Sequence, residues 1–261
     1  MGAARAGGDF DDMVTSARPE DRRWHDRLTG RGGGFRGLFV RLFVAAIVLA
    51  VIYFAVLLLI HRWAPPRDQY ASQGVYVSAA NGPIDWPQLA ATGVDFAYIS
   101  ATRGNSQRDP AFARNMAAAG DAGVRYGAVH HFDLCRLSND QATAFVTGVP
   151  RRANALPPVV ALDFSGPCQD RPGRAVILSE LGTLLTLVEQ HSGKPAVLRI
   201  SEEFEELYRI SGSVNRTVWL DGDFFPPDYA AKPWVMWTAN SNRRVGGIDG
   251  PVDWLVVRPL D

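Results

Sequence analysis

The sequence is poor in features that mark several common classes of protein. It has only two cysteines among 261 residues, and 27 Lys and Arg residues are balanced by 27 Asp and Glu residues. A chain with no net positive charge, and with no basic block interleaved with aromatic residues, is a poor match for the phosphate backbone of nucleic acid. We therefore expect no nucleic-acid partner.

Several motifs of catalysis and cofactor binding are also missing. The chain has no P-loop, no GxGxxG after a strand, no HExxH and no GxSxG. These absences argue against the commonest nucleotide-binding enzymes, zinc proteases and serine hydrolases. Neighbouring His130 and His131 would point to opposite faces of a strand, so they could not readily hold one ion. We expect no cofactor and no metal.

One long apolar run is present, from Leu42 to Ile60, and it contains no charged residue. At about 1.5 Å per residue it spans roughly 28 Å, close to the hydrocarbon thickness of a bilayer. No small-x-small cleavage site follows it, so an uncleaved anchor fits better than a signal peptide. Arg31, Arg36 and Arg41 crowd its N-terminal flank. The positive-inside rule therefore predicts a single-pass cell-membrane protein with a cytoplasmic N-terminus and an extracytoplasmic remainder.

Composition then divides the chain into four segments. Residues 1–37 are rich in Gly, Ala, Arg and Asp and are predicted to be a flexible cytoplasmic tail. Residues 38–61 form the predicted transmembrane helix. Residues 62–73, with two adjacent prolines, are predicted to be a short stiff linker, and residues 74–261 a folded domain.

Short apolar runs alternate with longer amphipathic runs in the folded domain. The clearest helix, 175–191, carries one apolar stripe and is followed by Gly193, a typical C-terminal stop. This alternation predicts parallel strands with crossover helices, in either a barrel or an open doubly wound sheet. The predicted strands are 74–78, 96–101, 126–132, 159–164, 196–200, 217–220 and 235–238, and the other helices are 85–91, 110–119 and 140–149.

Several short sequence motifs in this domain match those of a known family and occur in the same order along the chain. Residues 74–78 read GVYVS where the pattern has Gly-Ile-Asp-Val-Ser, and 98–104 read YISATRG where it has Tyr-Ile-Lys-Ala-Thr-Glu-Gly. DPAF at 109–112, PPVVALD at 157–163 and GIDGPVD at 247–253 follow. Together they resemble the family-25 glycoside hydrolases, the muramidase or lysozyme family. The resemblance implies an irregular (β/α) barrel with its site at the C-terminal strand ends, and peptidoglycan glycan strands as the substrate.

The resemblance also implies a reduced set of catalytic residues. Glycoside hydrolysis normally requires two carboxyl groups. The family pattern puts an acid on the first strand, where Tyr76 stands, and an Asp-x-Glu pair on the fourth, where Ala161 and Asp163 stand. Asp253 and Asp249 remain near the C-terminus. Asp163, Asp253 and Asp249 are thus the candidate catalytic residues, and N-acetylmuramidase activity is left open.

Each candidate also has a purely structural interpretation. Asp163 could satisfy backbone donors or a neighbouring arginine at a strand end. Asp249 stands beside a Gly-Pro turn, which favours a structural role, whereas both roles stay open for Asp253. The candidate substrate-binding residues are Tyr76, Ser100, His130 and Trp237. Tyr76, Ser100 and His130 lie on the first three strands of the resemblance, and Trp237 lies in a late strand.

The two cysteines, Cys135 and Cys168, both follow the apolar run. If this part of the chain leaves the cytosol, a disulfide between them is expected, and two unpaired buried thiols are the alternative. In a parallel barrel the loops after the third and fourth strands emerge at the same end, so the bond would brace one rim of the cleft.

Two hypotheses of function follow. The first is a membrane-anchored muramidase with a rearranged active site in which Asp163 is the acid. The second is a catalytically inactive family-25 barrel that serves as a cell-wall binding or envelope scaffold module. The loss of acids at Tyr76 and Ala161 favours the second hypothesis.

Overall fold

The computed structural model describes residues 34–259, which divide into two units that meet between Ala55 and Val56. The chain enters the first unit in helix α1 (Gly34–Arg62), in which no residue is buried. Within residues 34–259, α1 is the one helix long and apolar enough to cross a membrane. The predicted segment 38–61 lies inside it, but residues 34–37, predicted as part of the tail, are already helical. The rest of the tail lies outside the described residues.

The second unit is built around a sheet in which every strand but one has at least two neighbours. The strands are β1 (Gln73–Val77), β2 (Phe96–Arg103), β3 (Gln107–Arg108), β4 (Arg125–His131), β5 (Val159–Leu162), β6 (Val197–Ile200), β7 (Thr217–Asp221), β8 (Met236–Arg243) and β9 (Val252–Val257). The short β3 pairs only with β2, and β1 pairs with both β2 and β9. The other eight strands of residues 34–259 therefore close into a barrel.

Strand direction makes this barrel irregular. Apart from the short β3, which runs antiparallel to β2, all neighbouring pairs from β1 through β8 are parallel, whereas β9 runs antiparallel to both β8 and β1. The predicted irregular (β/α) barrel is thus confirmed, and the open doubly wound sheet is excluded. Because seven barrel strands run the same way, their carboxyl ends meet at one end, which we call the mouth.

Helices connect the parallel strands. They are α2 (Trp86–Ala91), α3 (Phe112–Asp121), α4 (Ser138–Gly148), α5 (Arg174–Ser192) and α6 (Glu202–Tyr208). Helix α5 buries five of the six residues of its predicted apolar stripe, and the sixth, Leu178, is half-buried. The helix ends at Gly193 in the left-handed conformation, as its sequence predicts. The five buried residues are Ile177, Leu181, Leu184, Leu185 and Val188.

The apolar core has two layers, which follow from the alternation of side chains along the strands. Outward-facing strand residues pack against the helices in the larger layer. Inward-facing residues fill the barrel itself, with Tyr98, Trp219 and Met236 among the largest. The barrel is therefore filled with side chains below its mouth and is not a pore.

The predicted linker is packed against the barrel unit. Trp63 and Tyr70 have their ring centroids 6.5 and 6.1 Å from that of Trp237. The amide of Asn240, which is fully buried, donates to the carbonyl oxygens of Ile60 and Trp63 at 2.7 and 3.0 Å. These contacts satisfy carbonyl groups that a helix end leaves without partners.

Candidate functional site

The mouth brings together side chains from seven strands. On the parallel strands they stand near or just after the carboxyl end, and on the antiparallel β9 at its beginning, so the fold places them around one opening. They are Tyr76 on β1, Ser100 on β2, His131 on β4, Asp163 just after β5, Arg199 on β6, Asp221 on β7 and Asp253 on β9.

A cavity of about 260 Å³ opens beside β2, and we call it the β2 cavity. Its wall includes Tyr76, Ser100, Arg103, Arg108 and His131. The surface is therefore polar and mostly basic, with an aromatic hydroxyl at one side. This part of the mouth has room for a small group of a ligand.

Asp163 is held by hydrogen bonds at the edge of the mouth. The backbone N–H of Ser165 donates to its Oδ1 at 2.8 Å, and the Ser165 hydroxyl donates to the same oxygen. Arg103 Nη1 lies 3.9 Å from Oδ1, and His131 Nδ1 lies 3.7 Å from Oδ2. Burial alone would raise the pKa of Asp163, but the contacts with His131 and Ser165 outweigh it and hold this pKa well below its usual range. Asp163 is thus ionised throughout the neutral range.

His131 links Asp163 to the first strand. The Tyr76 hydroxyl and His131 Nε2 are 3.0 Å apart, and Ser100 Oγ lies 3.5 Å from the same nitrogen. Burial is the largest influence on the pKa of His131 and lowers it, so the ring is mostly uncharged near neutral pH. Burial also raises the pKa of Tyr76, against the opposing charge of Arg199, which keeps the phenol protonated.

Arg199 forms a second cluster deeper in the mouth. Its Nη2 lies 2.9 Å from oxygens of both Asp221 and Asp253. Its guanidinium carbon lies 4.8 and 4.5 Å from the ring centroids of Tyr76 and Trp219. Burial raises the pKa of Asp253, Arg199 opposes this, and the nearby Asp221 adds to it. Asp253 is therefore one arm of a buried charge cluster.

The structure brings only some of the sequence candidates together. Tyr76, Ser100, Asp163 and Asp253 all reach the mouth, and Ala161 points into the barrel one step below Asp163 without contributing a polar group. Asp249 is exposed in the loop before β9, in a separate surface depression beside Ile84 and Asp85.

Two of the candidate binding residues lie on the outer face of the barrel wall. His130 is fully buried there and hydrogen-bonds with Thr102 at 2.8 Å and Gln141 at 3.3 Å. Trp237 is buried in the outer core and donates to the carbonyl oxygen of Gly222. Neither side chain faces the mouth, because inward and outward positions alternate along a strand. A substrate role for either would have to be indirect.

Three residues of the mouth were not among the candidates predicted from the sequence: His131, Arg199 and Asp221. Arg199 offered a signal, since it is a charged residue inside an apolar strand, VLRI at 197–200. Asp221 is the last residue of β7. Its Oδ1 accepts hydrogen bonds from the Thr238 hydroxyl at 2.7 Å and from Arg199 Nε at 2.9 Å. Charged residues at the end of a predicted buried strand would have marked both positions.

A disulfide joins Cys135 and Cys168, with Cα atoms 5.7 Å apart. It ties the loop after β4 to the loop after β5, as expected, and the alternative of two free thiols is excluded. The second of these loops carries Ser165, which holds Asp163. The bond therefore braces the rim beside Asp163.

Comparison with known proteins gives concordant matches. The family model described as glycosyl hydrolases family 25 matches residues 75–248. A family 25 glycosyl hydrolase from Bacillus anthracis superposes with a TM-score of 0.70 at 27% identity, covering 77% of this chain and 94% of that one. The uncharacterized protein YegX of Escherichia coli is 27% identical over 194 residues, 72% of this chain and 70% of YegX. Lysozyme M1 of Streptomyces globisporus is 40% identical over 83 residues, 32% of this chain and 28% of the lysozyme.

Proposed function

The chain belongs to glycosyl hydrolase family 25, and from this premise we propose that its barrel binds the glycan strands of peptidoglycan with little or no hydrolysis. Peptidoglycan is the ligand that the family resemblance implies and that the similarity to a lysozyme supports. Absence of hydrolysis is inferred from the chemistry of the mouth. The single observation that carries this inference is that hydrogen bonds hold the Asp163 carboxyl group in its ionised form, with a lowered pKa.

A glycosidase needs a carboxyl group that is protonated before it acts, so that it can donate a proton to the leaving oxygen. Asp163 is the only acid left at the position of the family's Asp-x-Glu pair. Its pKa is held well below its usual range by His131 and Ser165. A carboxylate so stabilised is a poor general acid at any pH where the protein would work.

The other carboxyl groups do not replace it. Tyr76 and Ala161 stand where the family pattern has acids. Asp253 has a raised pKa, but its Oδ2 accepts a hydrogen bond from Arg199 at 2.9 Å, which favours the ionised form and ties the carboxylate to a cation. Asp221 is likewise ion-paired with Arg199. Among the described residues, the mouth thus lacks a free pair of acid and nucleophile, while it keeps an open polar cavity for a ligand.

We further propose that α1 anchors the barrel in the cell membrane, with the N-terminus in the cytoplasm and the barrel outside. Its 29 residues would extend about 43 Å, longer than a bilayer core. Arginines on the N-terminal side support this orientation. The disulfide supports an oxidising compartment for the barrel, because cytosolic proteins rarely keep such bonds.

A sedimentation assay tests the proposal. The full-length chain in detergent is mixed with purified insoluble peptidoglycan, and both pelleted protein and released muropeptides are measured. We expect pelleting without release. The combined variant Tyr76→Asp, Ala161→Asp, Asp163→Glu should gain release by at least about 100-fold, the lower end of what a positioned general acid contributes. A folded wild-type chain that fails to pellet would contradict the proposal.

A further inference from the structure

We propose that the β2 cavity binds an anionic group of the glycan ligand, a carboxylate or a phosphate. This inference rests on the proposed function and specifies the chemistry of the ligand. Two arginines line the cavity, and the one acid in its wall is bound to backbone groups.

The cavity presents two guanidinium groups. Arg108 is exposed and donates to Thr147 Oγ1 at 2.8 Å, and no carboxylate within residues 34–259 forms an ion pair with it. Arg103 donates to Ser165 Oγ at 3.3 Å and is 3.9 Å from Asp163, a distance too long for a direct hydrogen bond. Each guanidinium carries five N–H donors, so both keep donors for a further acceptor.

The acid that lines the cavity is already engaged. One oxygen of Asp109 accepts the backbone N–H of Ala79, and the other accepts that of Ala111, both at 2.8 Å. Asp109 therefore fixes two turns and has no need of either arginine. Among the described residues that line the cavity, two positive charges face one negative charge. The remaining nearby acid, Asp163, is held by Ser165 at the rim.

His131 forms one side of the cavity, and its side chain is only 10% exposed. Its Nδ1 faces Asp163 Oδ2 at 3.7 Å, on the side of the ring that the cavity does not reach. The hydroxyl groups of Tyr76 and Ser100 stand on the other side of the same ring. The cavity thus offers two guanidinium groups and a set of neutral polar groups.

This arrangement suits a small oxyanion. Arginine forks match the planar oxygen pair of a carboxylate and the oxygens of a phosphate. On a peptidoglycan strand, the lactyl group of muramic acid carries a free carboxylate wherever the stem peptide has been removed. A phosphate ester is present wherever another polymer is attached to a sugar. Both sources present the same charge to Arg103 and Arg108.

The experiment compares insoluble glycans with the full-length chain in detergent. Three preparations test the carboxylate: intact peptidoglycan, peptidoglycan stripped of stem peptides by an amidase, and the stripped form with its carboxylates converted to methylamides. Two more test the phosphate: cell wall before and after removal of phosphate-linked polymers by acid. We expect about tenfold tighter binding wherever the anion is present, and a similar loss in Arg108→Gln. Arg114→Gln, an exposed arginine on α3, is the matched control and should bind as wild type.

The outcomes separate the two proposals. Tighter binding to stripped glycan identifies the carboxylate, and loss of binding with the phosphate polymers identifies the phosphate. Equal binding to all glycans, with Arg108→Gln unchanged, would overturn the anion site while leaving glycan binding intact. No pelleting on any glycan would overturn the proposed function itself. Arg108 is exposed, so thermal unfolding of Arg108→Gln should match wild type, and inorganic phosphate in solution should compete for the site.

Discussion

Asp163 owes its charge to its immediate neighbours. Its side chain is 27% exposed, and Ser165 donates two hydrogen bonds to one of its oxygens. These contacts give a folded-state pKa below the unfolded value of about 3.9. The ionised group therefore stabilises the fold above about pH 4, and this stabilisation is lost as pH falls through the lower folded-state pKa.

Asp163→Asn should accordingly destabilise the barrel in a pH-dependent way. We expect a loss of about 1 to 3 kcal/mol at pH 7, since a hydrogen-bonded charge is replaced by a neutral amide. The loss should shrink as pH falls below about 4. Urea denaturation of the full chain measures it, with the exposed Asp121→Asn as control. A loss that is constant with pH would argue against the ionised carboxylate.

Arg199 balances two carboxylates in the mouth. Arg199→Met should cost about 3 kcal/mol or more, because Asp221 and Asp253 would keep their charges without a partner. Adding Asp253→Asn should recover part of that stability, which a double-mutant cycle of unfolding free energies would report. Strictly additive losses would show that the cluster does not act as a unit.

The residues of the mouth were predictable only where the sequence showed which side chains of a strand point into the barrel. Tyr76 and Asp163 were found because a motif fixed their positions. The sequence did not show which way His130 and Trp237 face, because GAVHHF and VMWT offer no polar alternation to mark the inward positions. In the structure, the alternation of side chains along these strands points His131, Met236 and Thr238 into the barrel instead.

At the scale of elements, the disulfide is the clearest brace of the mouth. It links residues 33 apart in sequence. A crosslink over such a loop stabilises a fold by about 3 to 4 kcal/mol in the chain-entropy estimate. Through Ser165, the loop after β5 also sets the environment of Asp163.

Replacement of both cysteines by serine should therefore lower the melting temperature and loosen one rim. Hydrogen exchange should increase in the loops after β4 and β5, while strands on the opposite side of the barrel keep their protection. The same pattern is expected after reduction of the wild-type chain. Uniform loss of protection throughout the barrel would contradict a local brace.

The elements themselves were largely predictable from periodicity. All seven predicted strands exist, with ends shifted by a few residues. The missed elements were β3, α6 and β9. β3 and α6 are short and give little periodic signal. β9 overlaps the motif GIDGPVD and was not predicted as a strand, although its sequence, VDWLVV, alternates as a strand does. Its antiparallel direction depends on pairing with β1, which no local pattern encodes.

At the scale of the whole molecule, the barrel was predictable only from the order of the matched phrases. Periodicity left an open sheet equally possible, because both folds alternate strands and helices. Closure depends on the pairing of β1 with β2 and β9. The packing of Trp63 and Tyr70 against the barrel unit also escaped prediction, because a proline-rich stretch favours a linker.

Membrane topology gives a prediction at this scale. Alkaline phosphatase, which folds only outside the cytoplasm, should be active when fused after residue 261 and inactive when fused before residue 1. The reason is the arginine excess on the N-terminal side of α1. Cys135 and Cys168 should also resist alkylation in intact cells until a reductant is added. The opposite pattern of fusion activity would reverse the orientation.

The most direct test of the whole account is the release of reducing muropeptides from purified peptidoglycan by the full-length chain, measured beside Lysozyme M1 as a positive control. We predict no release above the blank between about pH 5 and pH 8, since Asp163 stays ionised there. Release by the wild-type chain that disappears in Asp163→Asn, with the variant still folded, would contradict the account and identify Asp163 as a working acid.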